Sequence, residues 1–230
     1  MKSKKIVALL PMKANSERVK GKNFRVLAGK PLFQWILDEL LAVEAIDKVV
    51  INTDAREILA ENGLVEHARL LIRDRKKELC GDFVSMNLII EDDVTAIEAD
   101  IYVMTHTTNP LIRAATINAG LELFEQSTRN DSLFTVNKIQ TRFYREDGSA
   151  VNHDPENLIR TQDLEPWFEE NSCLFMFTAD SFEKTNARIG ERPAMMETPP
   201  LESLDIDEPH DWEMVSALAN LRVNSASTGI

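Results

Sequence analysis

The sequence predicts one α/β domain over residues 1–230, with three layers in which helices cover a mostly parallel sheet. Short apolar runs alternate with longer amphipathic patterns from residue 6 to residue 138. This alternation is typical of parallel strands that are joined by helices. A length of 230 residues suits a single domain with a large core. A hydrophobic content of 43% beside 28% charged residues is typical of a globular protein.

The strands and helices follow from the hydrophobic pattern along the chain. Buried strands are predicted at residues 6–10, 48–53, 65–72, 101–105, 132–138 and 172–178. Helices are predicted after Pro31, after Asp54, at residues 85–97 and 116–126, and after Pro209. Asp54 starts the run Asp-Ala-Arg-Glu, which has the form of a capping box and predicts that Asp54 is the N-cap of its helix.

The alternation of strand and helix stops over residues 139–171, which we term the excursion. Its aromatic side chains follow no clean period, and they include Phe143, Tyr144, Trp167 and Phe168. Large apolar side chains in such segments are better explained by an interface with a partner than by packing in the core.

The composition excludes several classes of protein. The chain has 38 acidic and 26 basic residues and a net charge of −12, which argues against a general nucleic-acid-binding surface. Its two cysteines, Cys80 and Cys173, form no CxxC pair, so a zinc site is not supported and a reduced compartment fits. No apolar run approaches membrane-spanning length. We therefore expect a cytoplasmic protein with no membrane partner.

Positive charge is concentrated at the start of the chain. Nine of the 26 Lys and Arg residues lie in residues 1–30: Lys2, Lys4, Lys5, Lys13, Arg18, Lys20, Lys22, Arg25 and Lys30. An open α/β sheet binds ligands at the carboxyl ends of its strands, where Lys and Arg bind phosphate oxygens through charge-assisted hydrogen bonds. The cluster indicates a site for a small polyanion such as a triphosphate. For any single cation, a solvated loop charge is the alternative interpretation.

Two common nucleotide-binding motifs do not occur in this sequence. Gly29-Lys30 is followed by Pro31, so the chain does not form GxxxxGK[ST], and GxGxxG occurs nowhere. A P-loop NTPase and a dinucleotide-binding Rossmann domain are therefore disfavoured.

A pair of carboxylates precedes the last predicted helix. If residues 204–207 are extended, Asp205 and Asp207 point to one face with their Cα atoms about 6.5 to 7 Å apart, and Ile206 points into the core. Carboxylates together with bound phosphates are the usual ligands of Mg²⁺ in proteins. Asp207 has a second interpretation, as the N-cap of the helix that begins near Pro209.

Two stretches carry a resemblance to a known family. PMKANSERVKGKN at residues 11–23 and LAGKPL at residues 27–32 resemble the nucleotide-binding signature of the acylneuraminate cytidylyltransferases, also called CMP-N-acetylneuraminic acid synthetases. Further segments extend the similarity over nearly the whole chain. The resemblance implies a three-layer Rossmann-like nucleotidyltransferase fold in which the excursion pairs two subunits and completes the sugar pocket.

The resemblance also implies roles for individual residues. It assigns nucleotide binding to Lys13, Ser16, Arg18, Lys22, Asn23, Arg75, Asp82 and Ser85. It assigns the sugar pocket to His106, Thr108, Asn109, Arg160, Gln162 and Asn171. Catalysis falls to Lys22, Asp205 and Asp207, with the two aspartates as ligands of Mg²⁺. Lys13, Lys76 and His106 depart from the arginine, proline and glutamine that the family carries at these positions.

The reaction that the resemblance implies is transfer of CMP from CTP to an acidic keto-sugar such as sialic acid, with release of pyrophosphate, by a homodimer. One alternative is a cytidylyltransferase of the same fold with another acceptor, such as legionaminate, pseudaminate, a Kdo-like acid or a phosphorylated alcohol. Another is a nucleotide-binding module without catalysis. Retention of Lys22, Asp205 and Asp207 argues against that second alternative.

Overall fold

A computed structural model describes residues 4–16 and 18–228. Lys2 of the cationic cluster and Glu17, which lies within the first of the two signature stretches, fall outside the described residues. The strands are β1 (Ile6–Leu9), β2 (Val26–Leu27), β3 (Lys30–Pro31), β4 (Lys48–Thr53), β5 (Leu70–Asp74), β6 (Ile101–Met104), β7 (Ser132–Ile139), β8 (Trp167–Phe177) and β9 (Pro193–Glu197). The helices are α1 (Leu32–Ala42), α2 (Arg56–Glu61), α3 (Met86–Ala96), α4 (Ala114–Gln126), α5 (Ala179–Thr185) and α6 (Pro209–Thr228). In these residues, no helix is both long enough and apolar enough to cross a membrane.

Seven strands form one sheet in the order β5-β4-β1-β6-β8-β7-β9. Strands β1, β4, β5 and β6 pair in parallel. Strand β8 pairs antiparallel with both β6 and β7, whereas β9 pairs in parallel with β7. The sheet is therefore mostly parallel, as the sequence predicts, and the carboxyl ends of β1, β4, β5 and β6 meet along one edge.

Strand side chains alternate between two apolar cores, one on each face of the sheet. In β1, Ala8 belongs to the core that includes α1 and α4, whereas Val7 and Leu9 belong to the core that includes Ile90 of α3 and Phe182 of α5. Helices thus cover both faces, which confirms the three-layer architecture.

A third apolar cluster packs α6 against the β2–β3 hairpin. Trp212 and Val215 of α6 pack with Leu27 and Trp35, and the same cluster contains the fully buried Ile206. Burial of Ile206 was expected from the sequence. This packing holds the segment before α6 beside the loop that follows β1.

Three local predictions differ from the structure. The strand predicted at residues 65–72 starts too early, because pairing with β4 begins only at Leu70. Strand β8 begins at Trp167, before the predicted residue 172, because its first residues pair with the end of β7. Asp54 is not an N-cap. Its carboxylate Oδ1 accepts a hydrogen bond from the Ala14 backbone N–H at 2.7 Å, and Ala55 stands at the N-cap position of α2.

A β-bulge divides the β7–β8 pair into two halves. The register shifts between Phe134 and Val136, and Ser172 opposite this point has a left-handed backbone, with φ of 56°. The inner half joins the main sheet, and the outer half leads into the excursion. Both sides of the shift are held by the buried Asn171 side chain, which accepts from the Thr135 hydroxyl at 2.7 Å and donates to Thr198 Oγ1 at 2.7 Å.

Helix α4 approaches the sheet closely at Gly120. A Cβ atom at this position would lie 2.8 Å from Met176 Cε and 3.3 Å from Leu174 Cδ2. We expect Gly120→Leu to lower the free energy of unfolding by about 1–3 kcal/mol, because extra methylenes force strain into a filled core. Urea unfolding measures this change. Ala119→Leu, at an exposed position on the same helix, is the matched control, and equal stability of the two variants would contradict this packing.

Candidate active site

A cavity of about 360 Å³ lies at the carboxyl edge of the sheet. Its wall consists of segments that follow β1, β5 and β6, together with Asp207 from the segment before α6. Of the residues predicted from the sequence, those that line it are Lys13, Ser16, Arg18, Lys22, Asn23, Arg75, Asp82, His106, Thr108 and Asp207. The parallel strands thus bring together side chains that are far apart in sequence.

The loop after β1, residues 10–21, is held from two sides. Asn23 donates through Nδ2 to the Lys13 carbonyl oxygen at 2.8 Å, and its Oδ1 accepts from the Thr107 hydroxyl at 2.7 Å. Asp54 holds the Ala14 N–H, as described above. Asn23 therefore lines the cavity while both ends of its amide fix the loop.

Lys22 is the buried cation of the site, with a side chain that is 9% exposed. Its Nζ donates to the Ile206 carbonyl oxygen and lies 3.7 Å from Asp207 Oδ1. Burial lowers the pKa of Lys22, and the nearby Asp207 and Asp205 carboxylates oppose that shift. The ammonium group is thereby fixed between the β1 loop and the segment before α6.

The other two cations that the sequence predicts for phosphate binding also have carboxylate partners. Arg18 Nη2 lies 2.7 Å from Asp207 Oδ1, and its Nη1 lies 3.1 Å from Glu208 Oε1. These carboxylates raise the pKa of the Arg18 guanidinium. Lys13 Nζ pairs with Asp82. In this state, each of the three cations is neutralised by the protein itself, and a polyphosphate would have to take over or share these contacts.

The structure answers the question about Asp207 that the sequence left open. Its carboxylate pairs with Arg18 and Lys22. Helix α6 begins at Pro209, so Glu208 and not Asp207 directly precedes it, and the Asp207 and Glu208 backbone N–H groups both donate to Asp211 Oδ2, at 3.0 and 2.7 Å. Interpretation of Asp207 as an N-cap is therefore wrong.

Asp205 does not line the cavity, unlike Asp207. Burial raises the pKa of the Asp205 carboxyl and the Asp207 charge raises it further, whereas a hydrogen bond from the Thr108 side chain and the Lys22 charge lower it. Asp205 Oδ1 is buried and has no hydrogen-bond partner among the described residues. A buried, unsatisfied carboxylate oxygen beside a second carboxylate suits a hard divalent cation. No group of three or more His, Cys, Asp and Glu side chains within the described ranges could hold a metal alone, so bound phosphate oxygens or water would have to complete the ligand set.

Arg75 is positioned by contacts that the sequence analysis did not find. Its Nη2 donates to the backbone oxygens of Met12 and Asn52, at 3.0 and 2.7 Å, and its Nε donates to Asn52 Oδ1 at 3.0 Å. Asn52 in turn donates through Nδ2 to Asp93 Oδ1 at 2.8 Å. Asp93 is fully buried and also pairs with Arg73. These hydrogen bonds join Arg75 to Met12 in the loop after β1 and, through Asn52, to the buried Asp93.

Five further residues from the sequence analysis do not line the cavity. Ser85 caps α3 by accepting from the Asn87 N–H at 3.3 Å. Asn109 is buried and lies 3.5 Å from the Leu204 carbonyl oxygen. Arg160 and Gln162 are exposed on the excursion, where Arg160 pairs with Asp163 at 2.7 Å. With Asn171 in the bulge, all five roles in ligand binding stay predictions.

Arg188 is a cation near the cavity that the sequence analysis missed, and its side chain is 20% exposed. It lies in the segment between α5 and β9, and its Nη1 is 3.2 Å from His106 Nε2. No motif marks it, because the chain brings it to the end of β6 only through the folding of β8 and α5.

A cationic loop after the first strand of a mostly parallel sheet lines one cavity together with Asp207, and positioned charge of this kind is what phosphoryl-group transfer requires. The family model described as cytidylyltransferase matches residues 7–230. The chain therefore belongs to the cytidylyltransferase family, and it is a CTP-dependent enzyme.

Individual proteins of known function are similar to this chain. A CMP-N,N'-diacetyllegionaminic acid synthase of Legionella pneumophila is 25% identical over 230 residues, which cover 94% of this chain and 97% of that protein. An N-acylneuraminate cytidylyltransferase of Oncorhynchus mykiss is 26% identical over 214 residues, and the chain spans only 48% of its length although 90% of this chain is covered. The solved structure of a CMP:2-keto-3-deoxy-manno-octonic acid synthetase complexed with CTP has a TM-score of 0.65 at 18% identity, covering 95% of this chain and 99% of that one. These matches confirm the resemblance and the Rossmann-like fold.

Proposed function

We propose that this enzyme transfers CMP from CTP to a hydroxyl group of an acidic keto-sugar and releases pyrophosphate. The observation that carries the proposal is that Lys13, Arg18 and Lys22 line one cavity together with Asp207, and that the buried Asp205 lies two residues before Asp207. The names of the three similar proteins point the same way, because each names a sugar acid as the acceptor.

Lys13, Arg18 and Lys22 bind the triphosphate in this proposal. Phosphate oxygens replace Asp82, Asp207 and Glu208 as partners of these cations, so that the negative charge of the ligand is matched without exposing any cation. Lys22 moves least, since its Nζ stays bonded to the Ile206 carbonyl oxygen. Lys13 lacks the bidentate geometry of the family's arginine, which lowers the geometric precision but keeps the charge.

Arg75 and Asp82 hold the cytosine side of the nucleotide. The Arg75 guanidinium offers only donors, which suits the O2 and N3 acceptors of cytosine. A carboxylate such as that of Asp82 suits the exocyclic amino group. Uracil presents an N–H at its third ring position and a carbonyl in place of the amino group, so UTP fits this pair of residues poorly.

Asp205 and Asp207 are the residues that would hold Mg²⁺, together with phosphate oxygens. When bound, the ion would neutralise charge on the transferring phosphoryl group and lower the pKa of the attacking hydroxyl. In the reaction, the hydroxyl oxygen forms a bond to the α-phosphorus while the bond from that phosphorus to the bridging oxygen of pyrophosphate breaks, and the hydroxyl proton passes to water. The chain contributes positioning and charge, so that no covalent nucleophile is required.

Pyrophosphate release tests the proposed reaction directly. We expect release from CTP and Mg²⁺ with at least one member of a panel of nine-carbon and eight-carbon keto-sugar acids, and we expect far less with UTP because of the Arg75 and Asp82 contacts. A phosphorylated alcohol in the same panel tests the alternative acceptor class. CTP binding without release for any acceptor would overturn the reaction and favour a non-catalytic nucleotide-binding module.

Removal of one metal-binding carboxylate separates turnover from nucleotide binding. We expect Asp205→Asn to lower Mg²⁺-dependent turnover by about 100-fold or more, because transition-state charge is no longer neutralised. CTP affinity, measured by calorimetry without Mg²⁺, is expected to change by less than about threefold. Glu122→Gln, which removes an exposed carboxylate on α4, is the control. Full turnover in Asp205→Asn would contradict a role of this pair in metal binding.

We also propose that two copies associate through the excursion and that Arg160 and Gln162 of one copy complete the sugar pocket of the other. Both residues are exposed and outside the cavity of their own chain. Trp167 and Phe168 are 40% and 41% exposed on the outer half of β8. Exposed aromatic groups beside a polar rim are typical of interfaces between subunits.

Sedimentation equilibrium at micromolar concentration tests this association. We expect a dimer for the wild type and at least about 30-fold weaker association for Phe168→Asp, since a charge would replace an aromatic group at the centre of the contact. Val26→Asp changes a side chain that is 63% exposed on the β2–β3 hairpin and is expected to leave the dimer intact. A wild-type monomer would overturn the proposal.

A further inference from the structure

His106 and Arg188 form a contact that the proposed chemistry has not used. His106 follows β6 and lines the cavity. The Arg188 guanidinium lies 3.8 Å above the ring of Phe175 on β8, and its Nη2 is 3.4 Å from Glu170 Oε1. Its Nη1 is 3.2 Å from His106 Nε2. Stacking and an ion pair therefore orient the guanidinium, and one of its N–H groups reaches the imidazole.

The chemistry of arginine determines where the imidazole proton lies. A guanidinium group has only N–H donors and stays charged. A hydrogen bond from Arg188 is therefore formed only when His106 Nε2 carries a lone pair. The single proton of the neutral ring is then on Nδ1, which becomes the remaining donor of a side chain in the cavity wall.

The surrounding charges keep the ring neutral. Arg188 approaches from the segment after α5 and Lys22 from the β1 loop, and both are cations. Glu170 on β8 pairs with Arg188 and not with His106, and Asp207 pairs with Arg18 and Lys22. Burial, Arg188 and Lys22 together lower the pKa of His106 to about 3.

We propose that Arg188 is a positioning residue that fixes His106 as a neutral Nδ1–H donor for an oxygen of the acceptor sugar acid. This inference rests on the proposed function, because the acceptor is the ligand that it concerns. A neutral donor beside Lys22 binds a hydroxyl or carboxylate oxygen without adding a third positive charge to this part of the cavity. His106 is also one of the positions where this chain departs from the family that it resembles, so the His106–Arg188 contact is a feature of this chain's own sequence.

The proton position is measurable without any substrate. Nitrogen-15 NMR of the imidazole, assigned with His106→Gln, is expected to show the neutral Nδ1–H tautomer with no titration between about pH 5 and pH 8. In Arg188→Met, which keeps an apolar stem against Phe175, burial and Lys22 still hold the ring neutral, and the Nε2–H tautomer is expected to appear because no donor then faces Nε2. Arg188→Lys retains a charged donor and is expected to keep the ring neutral. An Nε2–H tautomer in the wild type, or no difference between wild type and Arg188→Met, would overturn the proposal.

Kinetics distinguish positioning from packing. Free histidine favours the Nε2–H tautomer in water, so at about pH 8 Arg188→Met is expected to raise the KM for the acceptor about tenfold by losing the Nδ1–H donor. Arg188→Lys retains a charged donor toward Nε2, so its acceptor KM at about pH 8 is expected to lie within about twofold of the wild-type value. The KM for CTP is expected to change less than about twofold in either variant.

The control for this experiment is Arg192→Met, which removes an exposed arginine of the same segment. We expect it to leave both KM values unchanged. An acceptor KM raised equally in Arg188→Met and Arg188→Lys would assign Arg188 a purely structural role. If no sugar acid were accepted, the proposed function would fail and the acceptor part of this inference with it. A normal acceptor KM in Arg188→Met at about pH 8 would overturn this inference alone.

Discussion

The site depends on one buried ammonium group. Lys22 Nζ links the end of the loop after β1 to the segment before α6. These two parts of the chain are 184 residues apart in sequence. A buried cation is stable only when it is paired and hydrogen-bonded, and here the partners are the Ile206 carbonyl and the Asp207 carboxylate. The reverse also holds, since Asp205 and Asp207 would repel each other without a cation between the two segments. The cationic and the acidic halves of the site therefore stabilise each other.

The fold was predictable because its signals are local. Apolar runs such as residues 6–10 and 101–105 read as buried strands, and Pro31 marks the start of a helix, so the layers and the mostly parallel sheet follow from short windows of sequence. The cluster of cations after β1 was also predictable, because Lys13, Arg18 and Lys22 lie within one short stretch of sequence. These cations line the same cavity as Arg75 and Asp207. That location was predictable from the rule that ligands bind at the carboxyl ends of parallel strands.

The remaining features were not predictable because they depend on contacts between distant segments. The sequence around Asp54 is typical of a helix N-cap, but its carboxylate accepts a hydrogen bond from the Ala14 N–H of the β1 loop. No residue near Asp54 in the sequence indicates that contact. Asn52 and Asp93 support Arg75 from two different elements. Arg188 has no neighbours in sequence that distinguish it from an exposed arginine, and only tertiary packing on Phe175 makes it part of the site.

The bulge at Ser172 has a consequence for how this architecture varies. A shift of one residue in a β-ladder turns every following side chain to the opposite face. From Phe134–Phe175 to Val136–Glu170, β7 advances two residues and β8 five, so three extra residues of β8, an odd number, absorb such a reversal around Ser172. The outer ribbon can therefore change its length or its side chains while Phe175 and Phe177 keep their places in the core. Changes in the outer ribbon are thus kept from reaching the core that positions the cavity.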